Sequence, residues 1–369
     1  MIRFVIADDL SGAADSAVHF RGAGRVRLNL LQSSPWTAGG AGLVQVCDSE
    51  TRNLAPGVAG ATIRSIAAGL ADLTGPRPPL FKKVDSTLRG NAGVELLAVA
   101  DELGYAAVVL APALPSQGRT VEGGRLLVHG TPVSSTAAGA DPLRPVTKDL
   151  VPDILGFPVQ SIPLPQVRRR GGFLAEPTER LVVVDSRDDS DLDAVAEALS
   201  NRPELLPAGS AGLARAIASR QPPPPSVEPP RAASIVVLVG SGNPVARTQL
   251  DRLREARLDG VHVFGVDESL AHDPSGMVQE LAARAAGSLA RLAPPVALVA
   301  TGGDTALALC RALAEDAIWV CGEVLPGIAW GTLDRSGTTL VTKAGGFGGP
   351  DAVRDTALRL LGLRQAAGG

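Results

Sequence analysis

Asp8 and Asp9 stand side by side where an apolar run, Ile2 to Ala7, gives way to Leu10-Ser11-Gly12-Ala13-Ala14-Asp15. Two adjacent carboxylates at a strand's end, just ahead of a helix, can hold a proton, a metal or the hydroxyls of a polyol. Helix capping by Asp9 or Ser11 would need only one of them. A second cluster, Lys82-Lys83-Val84-Asp85-Ser86-Thr87-Leu88-Arg89-Gly90-Asn91, gathers two ammonium groups, a carboxylate, two hydroxyls, a guanidinium and an amide. Strand alternation puts Lys83 and Asp85 on one side. Such a set suits a small anionic polyol, with Arg89 for a carboxylate and Asp85 and Ser86 for hydroxyls. The plainer reading is a solvated capping loop with a local salt bridge. A third loop, Ala111 to Thr120, carries Arg119 between prolines and a predicted turn.

Three glycine-rich segments lie in the last part of the chain. Val239-Gly240-Ser241-Gly242-Asn243 and Ala300-Thr301-Gly302-Gly303-Asp304-Thr305 each follow an apolar run and open a helical stretch. The third is Lys343-Ala344-Gly345-Gly346-Phe347-Gly348-Gly349-Pro350. Turns of this kind bring backbone N–H groups close to phosphate oxygens at a helix N-terminus. Any one of them could be merely a tight turn; three together point to a nucleotide phosphate site. The GxxxxGK[ST] pattern of P-loop NTPases is absent. A variant dinucleotide fingerprint over Gly240–Ala246 is the competing match, although Asp259 comes early and Asp267 late for its ribose carboxylate. Lysine occurs only at positions 82, 83, 148 and 343 in a chain that otherwise uses arginine, which marks Lys343 as a phosphate ligand or as the closure of its own turn.

These segments must be held by a folded frame, and the composition allows one. The chain has 369 residues, 45% of them hydrophobic, with 35 basic and 38 acidic side chains and a net charge of −3. The near balance argues against nucleic acid and membrane surfaces as partners. No run reaches the roughly 18 residues of a membrane span. Cys47, Cys310 and Cys321 have no CxxC spacing, and His19, His129, His262 and His272 no zinc-ligand spacing, so a reduced, cytoplasmic protein is expected.

Short Val/Ile/Leu runs alternate with helical periodicity. Strands are predicted at 2–7, 43–46, 80–84, 106–110, 181–184, 235–239, 261–266, 296–300 and 338–341, and helices at 58–73, 92–103, 245–256, 277–292 and 305–313. Continuous apolar runs suit strands covered on both faces. The expected class is therefore α/β with two domains, each a largely parallel sheet flanked by helices. The proline run between Gln221 and Pro230 favours an extended spacer. It divides a domain over 1–220 from one over 234–369, with a linker at 221–233. Ligands bind beyond the carboxyl ends of strands in such sheets, where all of these segments lie.

The order Asp8-Asp9-Leu10-Ser11-Gly12-Ala13, Lys82 to Asn91, and Pro112 to Thr120, followed by Ser241, Gly302 to Thr305 and Lys343 to Phe347, resembles the four-carbon acid sugar kinase family along nearly the whole chain. The resemblance implies ATP-dependent phosphorylation of a tetronate or 3-oxo-tetronate hydroxyl in a cleft between a sugar-acid domain and a nucleotide domain. By it, Asp8, Asp9, Lys83, Asp85, Ser86 and Arg89 face the sugar acid; Arg119 joins them as a further anion ligand of the third loop, and one carboxylate, Asp9 or Asp85, is expected to orient or deprotonate the attacking hydroxyl. Ser241, Gly302, Gly303, Asp304, Thr305, Lys343, Gly345 and Gly346 face ATP, with Mg²⁺ bridging phosphate oxygens through ligands the sequence leaves open. A homodimer is expected. This chain has Gly242-Asn243 where the family usually carries Cys-Ser, and TGGDT in place of TGGET. Its 61-residue interval from Ser241 to Gly302 is short for the family. Two alternatives remain, an NADP-dependent oxidoreductase and a non-catalytic sugar-acid sensor.

Overall fold

The computed structural model describes residues 1–363 apart from 31–34, 41, 142, 170–172, 175 and 266–273, and the side chains of 274 and 275. The chain divides into two compact units, Met1–Arg25 with Leu31–Pro224, and Val26–Leu30 with Pro225–Gly369.

In chain order the elements up to residue 218 are β1 (Phe4–Ala7), α1 (Leu10–Ala17), β2 (Arg25–Asn29), β3 (Leu43–Asp48), α2 (Pro56–Thr74), β4 (Leu80–Lys83), α3 (Ala92–Leu103) and β5 (Ala107–Ala111). Then come β6 (Arg119–Glu122), β7 (Arg125–Val128), β8 (Thr131–Pro132), α4 (Val151–Leu155), β9 (Gln160–Ile162), α5 (Leu164–Val167), β10 (Leu181–Val184), α6 (Asp189–Leu199), β11 (Leu205–Gly209) and α7 (Ala211–Ala218). Unit 1 is built on parallel strands in the order β3-β1-β4-β11-β5-β10-β9. Val5, Ile6, Phe81, Val108 and Leu110 are fully buried, as expected of strands with helices on both faces. A small antiparallel sheet, β6-β7-β8, is added to it. The apolar runs predicted in this half all form strands, with ends shifted by one or two residues. The short strands β6 to β9 and β11 were not predicted; their apolar runs reach three residues at most, as at Leu126 to Val128.

The second half contains β12 (Ser234–Val239), α8 (Pro244–Ala256), β13 (Val261–Gly265), α9 (Pro274–Ser288), β14 (Val296–Thr301), α10 (Gly303–Ala312), β15 (Ala317–Leu325), β16 (Ile328–Leu333), β17 (Thr339–Lys343) and α11 (Ala352–Leu361). The predicted strand at 261–266 ends at Gly265; Val266 lies outside the described residues. Strands β13, β12, β14 and β17 are parallel neighbours. Beyond β17 the sheet continues through β16, β15 and β2 with antiparallel pairing, a half the apolar pattern did not announce.

Strand β2 is the main departure from the expected division. Residues 26–30, expected within the first domain, belong to the second unit. Val26 and Leu28 are buried while Arg25 and Arg27 point outward, the one-sided alternation of an antiparallel strand. Ile318 pairs with Leu28 and Val320 with Val26. Arg27 adds an ion pair to Asp334 at 2.9 Å and lies over the Trp319 ring.

Candidate active site

The parallel register sets Ala7 beside Asp48 and Ile6 beside Lys82. The residues that end β1, β3 and β4 therefore meet at one carboxyl edge. Asp9 caps α1, its carboxylate accepting the Gly12 N–H at 3.1 Å and the Ser11 hydroxyl at 2.7 Å. Gly12 is required by close approach: a Cβ there would fall 2.6 Å from Asp9 Oδ1 and 2.7 Å from Lys83 Nζ.

Arg52 binds the two neighbouring aspartates together. Its Nε and Nη2 donate to Asp8 at 2.7 and 3.0 Å, and Nη2 donates to Asp9 at 2.7 Å and lies 3.8 Å from Asp85. Burial opposes charge on Asp8, but Arg52, Lys83 and Lys82 outweigh it and hold the carboxyl below its usual range. Asn91 fixes the segment that carries Arg52 by donating to the carbonyls of Thr51 and Leu54, each at 2.9 Å.

Asp85 is the most heavily satisfied carboxylate. Arg89 grips it through Nε and Nη2, both at 3.0 Å, and the Thr87 hydroxyl and the N–H groups of Thr87 and Arg89 also donate to it. Leu88, in the left-handed region at φ 57°, folds the backbone back to make this possible. Burial disfavours the charge; Arg89, Arg52 and these hydrogen bonds prevail and hold Asp85 well below the carboxylate range. Arg89 also reaches Asp141 through Nη1 at 3.0 Å. Ser86 is buried in the same turn. Arg119, at the start of β6, faces Asp85, Arg89 and Asp15, and burial lowers its pKa.

Lys82 and Lys83 part ways. Lys82 is fully buried in an ion pair with Glu95 at 2.8 Å. Lys83, 5% exposed, has no carboxylate within ion-pair distance among the described residues, although its charge favours the ionised form of Asp8. A buried ammonium in that state favours an incoming anion.

In unit 2, Val239, Thr301 and Lys343 are in register across β12, β14 and β17, so the three glycine-rich turns emerge side by side. The Gly302 N–H donates to the Lys343 carbonyl at 2.8 Å. Gly302 is at φ +102°, and a Cβ on Gly240 would meet Thr305 Oγ1 at 2.5 Å. A Cβ on Gly345 would meet Ser241 Oγ at 2.3 Å, and one on Gly346 Asn243 Nδ2 at 3.2 Å. Gly303 opens α10, with Asp304 exposed in its first turn. Lys343 is 1% exposed and donates to the carbonyls of Ala344, Gly345 and Phe347; burial brings its pKa down to about 7. Of the two roles open to it, closing the turn is the one its hydrogen bonds occupy.

A family model described as a sugar-binding N-terminal domain matches residues 3–217, and one described as a nucleotide-binding C-terminal domain matches 262–353. The D-threonate kinase of Bordetella bronchiseptica is 33% identical, over 95% of each chain. This chain belongs to the four-carbon acid sugar kinase family. The D-erythronate kinase of Heliobacterium modesticaldum is a further relative, 31% identical over 94% of each chain. A Salmonella typhimurium structure shares the fold with a TM-score of 0.75 at 20% identity, covering 96% of this chain and 98% of that one. A Bordetella bronchiseptica structure, described as a domain-swapped dimer with bound citrate, is 31% identical with a TM-score of 0.50, covering 98% of this chain and 99% of its own.

The kinase family leaves the NADP alternative without support, and so does the geometry. Asp259 precedes β13 instead of following it, as a ribose carboxylate must, and Asp267 lies outside the described residues. Sequence reasoning missed Arg52, Asp48 and Asp141. Asp48 ends β3 fully buried; its Oδ1 accepts the Glu50 N–H at 3.1 Å, and Oδ2 has no hydrogen-bond partner. Burial, with Asp9 and Glu50 close by, pushes its carboxyl well above the usual range. The acid-rich segment Asp48-Ser49-Glu50-Thr51-Arg52 was the available signal. Among the described residues no three His, Cys, Asp or Glu side chains gather as a metal site, and no helix is long and apolar enough to cross a membrane.

Proposed function

We propose that this chain transfers the γ-phosphoryl group of Mg–ATP to a hydroxyl of a four-carbon sugar acid, a tetronate or 3-oxo-tetronate. The observation that carries the reading is the array of buried Asp8, Lys83 and Asp85 with half-buried Asp9, Arg52 and Arg89 in a sugar-binding domain, on a chain that also holds three aligned glycine-rich turns. Lys83, with the remaining donors of Arg89, takes the substrate carboxylate, and Asp9 and Asp85 receive its hydroxyls. Ser86 and Arg119 line the same substrate side. Asp85 is held strongly ionised and so orients a hydroxyl better than it removes a proton; Asp9 is the candidate base. The acceptor oxygen forms a bond to the γ-phosphorus as the bond to the β-phosphate oxygen breaks. Its proton leaves late in a loose transition state, so positioning supplies most of the catalysis. Mg²⁺ would come as part of the nucleotide substrate and would neutralise charge on its phosphate oxygens, since no cluster of three carboxylate, imidazole or thiol side chains among the described residues offers it a site of its own.

The nucleotide side comprises Ser241, Gly302, Gly303, Asp304, Thr305, Gly345 and Gly346, with Lys343 shaping the last turn. A cytoplasmic site fits three cysteines that form no disulfide, and a homodimer fits the dimer reported for the Bordetella structure. An ADP-release assay with Mg–ATP and a panel of D-threonate, D-erythronate and 3-oxo-tetronates tests the reading. Turnover with at least one acid is expected. Thermal stabilisation by an acid with no ADP release from any would instead favour a sensor.

A further inference from the structure

Between Lys343 and Pro350, five backbone carbonyls turn toward two buried side chains. Lys343 Nζ donates to Ala344, Gly345 and Phe347 at 2.7, 3.2 and 3.0 Å. Gln249, on α8 and fully buried, donates through Nε2 to Phe347, Gly348 and Gly349 at 2.9, 3.2 and 2.8 Å. In a trans peptide the N–H of the next residue points opposite to the carbonyl. The amides of Gly345, Gly346, Gly348 and Gly349 are therefore turned away from this pair of donors. None of the four has an acceptor among the described residues; the Phe347 N–H alone is spent inside the loop, on the Ala344 carbonyl.

Gln249 bears a cost at this position. Its Oε1 is buried without a partner, an unfavourable state for an amide oxygen. The opposite amide orientation would set that oxygen against three carbonyls, so the donors decide the orientation. Its helix neighbours Ala246, Leu250 and Leu253 are ordinary core residues. A run of glycines has no conformational preference strong enough to align its own amides, and the alignment must come from outside the loop. Gln249 also lies outside the span matched by the nucleotide-binding family model.

We propose that Gln249, together with Lys343, is a positioning residue for the triphosphate: the two side chains draw the loop's carbonyls inward and so present four glycine amides to phosphate oxygens. The inference rests on the nucleotide reading above and says how this turn serves it. An array of outward N–H groups is a general anion cradle, and it recognises phosphate without regard to the base.

The test has two arms. In the first, amide exchange is followed in the wild-type protein. The amides of Gly345, Gly346, Gly348 and Gly349 exchange freely without ligand, gain protection with Mg–ATP or Mg–tripolyphosphate, and stay unprotected with adenosine. In the second, Gln249→Leu keeps the volume and removes the donors, and Gln249→Glu sets oxygen against the carbonyls. Both raise KM for ATP and the dissociation constant of tripolyphosphate by about tenfold or more, with KM for the sugar acid and binding of adenosine unchanged. Mg–ATP binding without protection of the four amides overturns the proposal and leaves the kinase reading standing. So does an equal loss for ATP and sugar acid, which a merely structural defect would give. Failure of the wild-type protein to bind ATP at all would overturn both.

Discussion

At the scale of single residues, the proposed sugar-acid site sets Asp8, Asp9 and Asp85 against Arg52, Lys83 and Arg89, and Arg52 is the one that touches all three carboxylates. Removing it leaves Asp8 and Asp9 beside each other without a guanidinium, with only Lys83 and Lys82 to offset the charge of Asp8. Arg52→Met is expected to weaken sugar-acid binding by about a hundredfold and to leave KM for ATP within about twofold; calorimetry with each ligand checks the split. Asp48 makes a different prediction. Its carboxyl stays protonated in the folded protein through a range where the unfolded chain, with a pKa near 3.9, has already ionised. The folded state then binds more protons, so stability falls as pH rises from about 4 toward the folded pKa. Asp48→Asn keeps the acceptor for Glu50 N–H and cannot ionise. Its melting temperature should exceed that of the wild type by a margin that grows as the pH rises above about 4. A margin independent of pH would mean that Asp48 is ionised in the folded protein. The segment Asp48 to Arg52 marked the place of both residues but not their roles, which come from partners on other segments: Asp8 lies 44 positions from Arg52.

At the scale of elements, the glycine-bearing turns are where backbone meets chemistry, and their requirements are local enough to be read in advance. Gly12 and Gly345 are both sites where a methyl group would collide, the first with Asp9 and Lys83 and the second with Ser241. Gly12→Ala should raise KM for the sugar acid, and Gly345→Ala KM for ATP, each by about tenfold with the other constant little changed. Steady-state kinetics with both substrates varied checks this, and a shared loss in either variant would contradict the assignment of substrates to turns. The Lys82 to Asn91 segment was legible for the same reason: its charges and hydroxyls are close in sequence, and Leu88 needs only a local reversal to return Arg89 onto Asp85. The β15–β16 hairpin was not, because the apolar start of β15 gives way to Gly322 and Glu323 and that of β16 to Gly331 and Thr332, so neither strand reads as one buried run.

At the scale of the whole molecule, the first thirty residues contribute to both units. Leu28 is fully buried in β2, yet it pairs with Ile318. Leu28→Ala should cost about 2–5 kcal/mol and loosen the sheet of the second unit. Hydrogen exchange should accelerate in β15 and β16, with β1 and β4 unaffected; the opposite pattern would assign β2 to the first unit. A cut at the proline spacer would therefore part the nucleotide-binding unit from one of its own strands, a consequence that the spacer alone conceals.

The amino-acid order by itself determined the α/β class, the buried strands and the turns that follow them, since apolar runs, glycines and clustered charges act through backbone preferences and short-range burial. It also carried the family, through the Lys82–Asn91 segment above all. Only the tertiary structure decided which side chains meet: Arg52 with Asp8 and Asp9, Gln249 with a loop about a hundred residues away, β2 with β15. Those pairings arise from packing across strands and between distant segments, where the identity of the partner depends on the folded chain as a whole and leaves no periodic mark in either segment alone.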